Sequence, residues 1–427
     1  MSIKKSKYTF INLLSFNSIS VLLKIIMGLV STKLSSIYLG ISGINTLEFF
    51  RNFTSVAANF SQLGLQNGVI KNAAISQSKS HDRKLLSTAF TILMFFSVVV
   101  IITIILFRNL IQEFLFQTNV FEAILFVYLF TIPLIGLQVI CINFIKGKQH
   151  YKTSIFIDII GYSINILLSF YLIINYELIG AMLQIVFSPV LLFLFTYLFF
   201  LKKFKQFSLF SFQYFDWDIF KSLISFMLMG TFSSMVTPIT FIVIRNLIQE
   251  ILSIELAGIW SSILRLSSFY MMFVSSFIGL YFLPNIAKST SITSLNEEAR
   301  KYFKQFFPMV VLGLTVCYFL QNYIIQIVYT NEFILIKDYF YLQLIADAIR
   351  VLGIFWGYCI LTKQLVKWYI LFELFSVITY ILSARFLINQ YSLEGVYIAQ
   401  ILSLTLYLLV VFIFYKINLR STYQRIV

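Results

Sequence analysis

Seven ionisable residues stand inside long apolar stretches of the 427-residue chain, where charge must serve chemistry or be neutralised: Lys24, Lys33, Glu48, Arg51, Arg265, Asp347 and Arg350. A charge at the centre of a hydrocarbon layer costs about 2.5 to 3.5 kcal/mol on insertion scales. Lys24, Arg51, Arg265, Asp347 and Arg350 facing lipid would together cost roughly 15 kcal/mol, so they must face protein or water. By position, Lys24, Asp347 and Arg350 fall near the midplane, and Lys33, Arg51 and Arg265 lie towards the outer leaflet. Glu48 with Arg51, and Asp347 with Arg350, are spaced i,i+3, so each pair shares one helix face. That spacing allows either mutual neutralisation or a common cavity wall. Five cations against two acids leave a surplus of three positive charges. A positive cavity within a membrane predicts an anionic ligand, and arginine suits phosphate because its planar fork donates two hydrogen bonds. The predicted substrate-binding set is Lys24, Lys33, Arg51, Arg265 and Arg350, with Glu48 and Asp347 as coupling or structural acids.

Two further acids, Asp158 and Glu373, sit about two turns inside the ends of their apolar stretches; a role in pairing with nearby lysines or anchoring polar networks is expected of them. His81 and His150 fall in loops, which predicts solvated side chains and no proton relay. No catalytic constellation and no P-loop occur, so the chain is read as a transporter that is not driven by ATP on this polypeptide. Cys141, Cys317 and Cys359 lie within apolar stretches and lack metal-ligand spacing, and no metal or cofactor is expected.

These residues must be positioned by membrane helices. The composition is 59% hydrophobic and 11% charged, with a mean hydropathy of +0.90; a soluble domain carries roughly 25% charged residues. The apolar residues form about a dozen stretches of some 20 to 30, each long enough to cross a hydrocarbon core about 30 Å thick. Continuous apolarity rather than alternation excludes a transmembrane β-barrel, and helices remain as the way to satisfy the backbone in lipid. The net charge of +15 does not indicate nucleic acid, because Lys and Arg punctuate apolar segments instead of covering one solvated face. The first stretch runs about 30 residues after Lys4, Lys5 and Lys7 without a small-residue cleavage site, which predicts a retained first helix.

Twelve spans are predicted, from Phe10–Leu39 to Leu393–Tyr415. Taking the N-terminus and every second loop as one side, that side holds 23 of the 32 basic residues. The positive-inside rule then places both termini in the cytoplasm. An internal repeat organises the spans. Lys148, Lys152, Asp158, Tyr176, Gly180 and Ser188 recur 215 residues later as Lys363, Lys367, Glu373, Tyr391, Gly395 and Ser403, and Gly43-Ile44 recurs as Gly258-Ile259. The chain therefore reads as an all-α protein of two tandem six-helix lobes, residues 1–205 and 206–427, in parallel orientation around a central cavity.

The same residues resemble the O-antigen translocases, lipid-linked oligosaccharide flippases of the multidrug/oligosaccharidyl-lipid/polysaccharide exporter superfamily, close to the enterobacterial common antigen branch. The resemblance runs nearly end to end, through Lys24 to Gly40, Phe50-Arg51, Asn67-Gly68, Lys71, Lys146-Gly147, Arg245, Gly258-Ile259-Trp260, Leu283-Pro284, Asp347, and Tyr369-Ile370-Leu371 with Glu373. It implies a twelve-helix, two-lobe fold that moves undecaprenyl-pyrophosphate-linked glycan units across a bacterial inner membrane by alternating access. Lipid-linked oligosaccharide, membrane lipids, a polysaccharide polymerase and a chain-length regulator are the expected partners. Ser268 stands where the family carries an acid, and Arg265 where it carries an uncharged polar residue. An ion-coupled multidrug antiporter and a membrane-embedded polymerase are the alternative readings; cationic drugs would favour an acidic cavity, and a polymerase would need a large outer loop.

Overall fold

Apolar runs of this length form helices because lipid offers no partner for backbone N–H and C=O groups. The computed structural model describes residues 10–76, 78–111, 122–204, 212–289, 291–363 and 365–419. Lys4, Lys5, Lys7, Lys205, Arg420 and Arg425 of the positive-inside count lie outside the described residues. The helices are α1 (Phe10–Gln62), α2 (Leu65–Ile75), α3 (Lys79–Leu106), α4 (Glu122–Gly147), α5 (Tyr151–Leu168), α6 (Ile174–Lys203), α7 (Trp217–Ile251), α8 (Ile254–Phe277), α9 (Leu283–Lys288), α10 (Ile292–Lys301), α11 (Phe307–Phe319), α12 (Gln321–Val328), α13 (Ile336–Thr362) and α14 (Val366–Phe414). Short π-helical turns at Ser169–Ile173, Ile278–Phe282 and Tyr302–Phe306 join α5 to α6, α8 to α9 and α10 to α11.

Among the described residues, nine continuous helical stretches are long and apolar enough to cross a membrane. Three of them contain one residue of non-helical backbone: Gly40 (φ 63°, ψ −170°), Glu177 (φ 46°, ψ −122°) and Ser392 (φ 51°, ψ −138°). Glu177 and Ser392 are 215 residues apart, the period of the sequence repeat. Each is followed three residues later by a glycine pressed on the preceding turn. A Cβ on Gly180 would lie 1.9 Å from the Leu172 carbonyl oxygen, and one on Gly395 would lie 2.3 Å from that of Leu387. The stretch from Asn285 to Lys301, too polar to read as a span, is largely helical as well. Ser291 starts α10 with a reciprocal capping box to Ser294, and the helix runs on into α11.

The chain forms two compact units. One gathers the first helix up to Ile25, the turn Gly40–Asn45 and the chain from Val243 on; the other holds Ile26–Leu39 and Thr46–Ile242. In this second unit, Leu85, Leu93, Phe144 and Phe200 are buried in one apolar cluster, and Phe49, Phe50, Tyr128 and Met182 in another. The start of α7 is fastened inside the same unit: Ser222 Oγ donates to Asn72 Oδ1 at 3.2 Å, and Lys84 Nζ donates to Asp216 Oδ2 at 2.8 Å.

In the first unit the buried turn residue Asn45 accepts a 2.6 Å hydrogen bond from Arg245 Nε. The core there is aromatic, with Phe277 stacked on Phe306 at 4.9 Å and Tyr302 against Phe355 at 5.0 Å. Tyr302 Oη also donates to the Val351 carbonyl at 2.7 Å. Tyr and Phe thus provide apolar bulk at few rotatable bonds, and the hydroxyl finds its partner inside the bundle.

Candidate intramembrane charge clusters

The two units divide the predicted residues. Lys24, Arg265, Asp347, Arg350 and Glu373 belong to the first; Lys33, Glu48, Arg51 and Asp158 belong to the second.

Asp347 on α13 is the most deeply buried of them, with no exposed surface. Its Oδ2 accepts hydrogen bonds from Ser267 Oγ and Tyr270 Oη of α8, both at 2.6 Å. Ser267 and Tyr270 are spaced i,i+3, so one helix face delivers both donors. Arg350, one turn along α13, brings Nη1 to 3.2 Å from Asp347 Oδ1, and its side chain remains 31% exposed. A fully buried carboxylate is tolerable only with its oxygens supplied by donors. Here two hydroxyls and one guanidinium supply them. The consequence for Arg350 is positional: one edge of its fork is held by Asp347, and the exposed remainder can meet a ligand. Sequence reasoning found Asp347 and Arg350 from their spacing but missed Ser267 and Tyr270, because neutral hydroxyl residues are common in apolar helices. Gln343, one turn before Asp347, was missed too; it is fully buried, and neither side-chain amide atom is hydrogen-bonded among the described residues.

Arg265, also on α8, lies with its guanidinium carbon 5.0 Å from the centre of the Phe269 ring, an i,i+4 cation–π contact. Its backbone carbonyl accepts from Ser268 Oγ at 2.6 Å, and Ser268 is exposed. Lys24 is exposed on α1.

In the other unit, Arg51 Nε lies 3.4 Å from Glu48 Oε1, and both side chains are partly accessible. The intervening Phe49 and Phe50 are completely buried and fix the rotation of the helix. Tyr128 Oη of α4 donates to the Thr54 carbonyl at 2.7 Å, one turn after Arg51, and ties that segment down. Lys33 is partly buried, with its carbonyl accepting from Ser36 Oγ.

The repeat-related acids differ in their partners. Asp158 lies 3.9 Å from Lys146 Nζ, a loose ion pair. Glu373 Oε1 accepts from Tyr407 Oη at 3.4 Å, and the Tyr407 ring packs on Gly353 and Gly357 of α13. A pocket of about 430 Å³ in the second unit, lined by Asn72, His81, Lys84, Asp216 and Ser222 among others, contains none of the predicted residues.

The comparisons with known proteins agree with this geometry. Residues 14–290 match the family described as polysaccharide biosynthesis protein. The lipid III flippases of Escherichia coli (strain K12) and Shigella flexneri are each 24% identical to the chain over 383 residues, covering 88% of it and 91% of the relative. Among solved structures, an inward-facing multidrug resistance MATE family transporter of the MOP superfamily superposes with a TM-score of 0.78. That structure is 13% identical and covers 93% of this chain and 95% of its own. The fold is accordingly that of MATE-like transporters, all-helical and multi-pass. With the family match extending over more than half its length, the chain belongs to the polysaccharide biosynthesis protein family.

Proposed function

We propose that the protein is a flippase that moves undecaprenyl-pyrophosphate-linked O-antigen or related oligosaccharide units from the cytoplasmic to the periplasmic leaflet of a bacterial inner membrane. Its two six-helix lobes, residues 1–205 and 206–427, alternate access around a central cavity, and both termini are cytoplasmic. The three interior breaks at Gly40, Glu177 and Ser392 support a count of twelve crossings, because each divides a helix of about twice the spanning length. The concentration of basic residues on alternate loops supports the orientation. Kinship with lipid III flippases supports the substrate class.

The observation that carries the reading is the Asp347-held, partly exposed Arg350 in an apolar bundle that also presents Lys33, Arg51 and Arg265. A guanidinium fixed on one edge is preorganised for a pyrophosphate on the other. In this scheme Lys24, Lys33, Arg51, Arg265 and Arg350 meet the headgroup, and the exported unit is consumed by a polysaccharide polymerase working with a chain-length regulator.

The test is surface-glycan export by Arg51→Ala and Arg350→Ala in cells, with membrane abundance measured beside it. Both variants should abolish export while abundance stays within about twofold, and Arg→Lys should retain more export than Arg→Ala because the charge persists. Normal export by the Ala variants, or losses that simply track protein abundance, would remove the pyrophosphate site.

A further inference from the structure

A groove of about 340 Å³ on the first unit is lined by Phe303, Leu352, Trp356, Leu408, Leu409 and Phe412, all of them apolar. Its walls are rigid. Trp356 stacks on Phe303 at 5.6 Å with a 25° interplanar angle, meets Phe412 edge-on at 5.2 Å and touches Tyr415 at 4.5 Å. Aromatic rings have few rotamers, so the shape exists before any ligand arrives. Its size falls within the range of small-ligand sites.

One end of the groove is cationic. Lys416 is exposed and holds Nζ 4.7 Å from the centre of the Phe412 ring; Lys304 follows Phe303 directly and is exposed. The nearby acid Glu298 is engaged by Lys301 at 2.6 Å. Arg300, Lys304 and Lys416 therefore outweigh Glu297 at this end. An apolar trough with a basic mouth matches an amphiphile that has an apolar chain and an anionic head.

The internal repeat shows that this groove is specific to one half. The corresponding positions of the first half are Phe90, Leu137, Cys141, Phe193, Leu194 and Tyr197. There Phe90, Leu137, Cys141 and Phe193 are buried in the core, and Phe212, just before α7, packs on Phe90 at 4.9 Å. The Tyr214 amide donates to Ser87 Oγ at 3.2 Å and holds that cover in place. The first half thus closes this face with its own chain, and the second half keeps it as a groove.

We propose that this groove binds one acyl chain of an anionic glycerophospholipid, with Lys304 and Lys416 receiving the phosphate. The site lies outside the set of residues assigned to the flipped substrate and does not depend on that assignment.

The test uses full-length protein with Trp356 as the sole tryptophan (Trp217→Phe, Trp260→Phe, Trp368→Phe), reconstituted in phosphatidylcholine vesicles. Bromine on the acyl chains of a minor component, either phosphatidylglycerol or phosphatidylcholine, quenches tryptophan on contact. Brominated phosphatidylglycerol should quench Trp356 at a lower mole fraction, by about fivefold for each lysine that meets the phosphate. Lys304→Gln with Lys416→Gln should erase the preference. Equal quenching by the two lipids, or a preference that survives the double substitution, overturns the proposal. So does a truncation after Leu419 that raises quenching by both lipids alike, since the chain's own end would then be the occupant. Displacement by equimolar polyprenyl phosphate also overturns it, in favour of the substrate carrier. Native mass spectra of the wild-type chain give a readout independent of the tryptophan substitutions: retained phosphatidylglycerol should exceed phosphatidylcholine and be lost in the lysine double variant, and equal retention contradicts the site.

Discussion

Lys148 and Lys363, 215 residues apart, make the same hydrogen bond in the two halves of the chain. Lys148 Nζ donates to the Ser76 carbonyl at 3.3 Å, and Lys363 Nζ donates to the Ser289 carbonyl at 3.2 Å. Ser76 and Ser289 each end a helix in extended backbone. Two residues on, Ser78 and Ser291 each start the next helix by accepting a backbone N–H three residues ahead. The turns after the lysines agree as well: the His150 amide bonds the Ile145 carbonyl, and the Leu365 amide bonds that of Ile360. Lys148 alone has a second partner, Asp82, at 2.7 Å with both side chains largely buried.

That asymmetry predicts unequal losses. Lys148→Ala strands the buried Asp82 carboxylate and should cost about 3 kcal/mol. Lys363→Ala should cost about 1 kcal/mol, one hydrogen bond. Thermal unfolding of the detergent-purified variants checks the order, and equal shifts would mean that Asp82 finds another donor.

Glycine at positions 180 and 395 is demanded by the preceding turn, whose carbonyl oxygens leave no room for a methyl group. Gly180→Ala and Gly395→Ala should each reduce membrane abundance severely. Gly279 and Gly313, where an added Cβ meets nothing within 4 Å, serve as controls. Ala there should be neutral or stabilise the helix by up to about 1 kcal/mol. Quantitative blotting of membrane fractions distinguishes the two classes.

Asp347 is predicted to position Arg350 rather than to carry a coupling proton, since both carboxylate oxygens are engaged by donors of α8 and α13. In proteoliposomes, wild type and Asp347→Asn should respond equally to an imposed pH gradient. Loss of the response in Asp347→Asn alone would make this acid the coupling site. Tyr270→Phe should lower stability by about 1.5 to 3 kcal/mol, the range for a hydrogen bond to a charged group.

Asp216 ends the connection between the halves and caps α7 by accepting from the Asp218 and Ile219 amides through Oδ1. The Lys84 ammonium, with those amides, holds its carboxyl below the usual carboxylate range. A lowered folded-state value means that ionised Asp216 stabilises the fold above the unfolded value of about 3.9, and that this stabilisation is lost as pH falls through the folded value. The difference in melting temperature between wild type and Asp216→Asn should be present at pH 6 and close on acidification below about pH 4. Asp216→Ala should cost about 1 kcal/mol more than Asp216→Asn, because Asn can still cap. A pH-independent difference would refute the role of the charge.

The sequence by itself determined the helical membrane class, since composition leaves lipid as the only solvent for such a chain and helix as the way to satisfy its backbone. It also determined the repeat and the residues that must avoid lipid. The period read from Gly180 and Gly395 reappears in the backbone of Glu177 and Ser392, and the i,i+3 spacings of Glu48 with Arg51 and Asp347 with Arg350 reappear as ion pairs, because both depend on local geometry along one chain. Only the tertiary structure decided that Ser267 and Tyr270 complete the Asp347 cluster, that Asn45 meets Arg245, and that Trp356 walls a groove where the matching Cys141 is core. Those partners lie 34 to 200 residues away from the groups they serve or belong to different helices. Helix packing brings them together, and no periodicity along a single helix records which neighbour it will have.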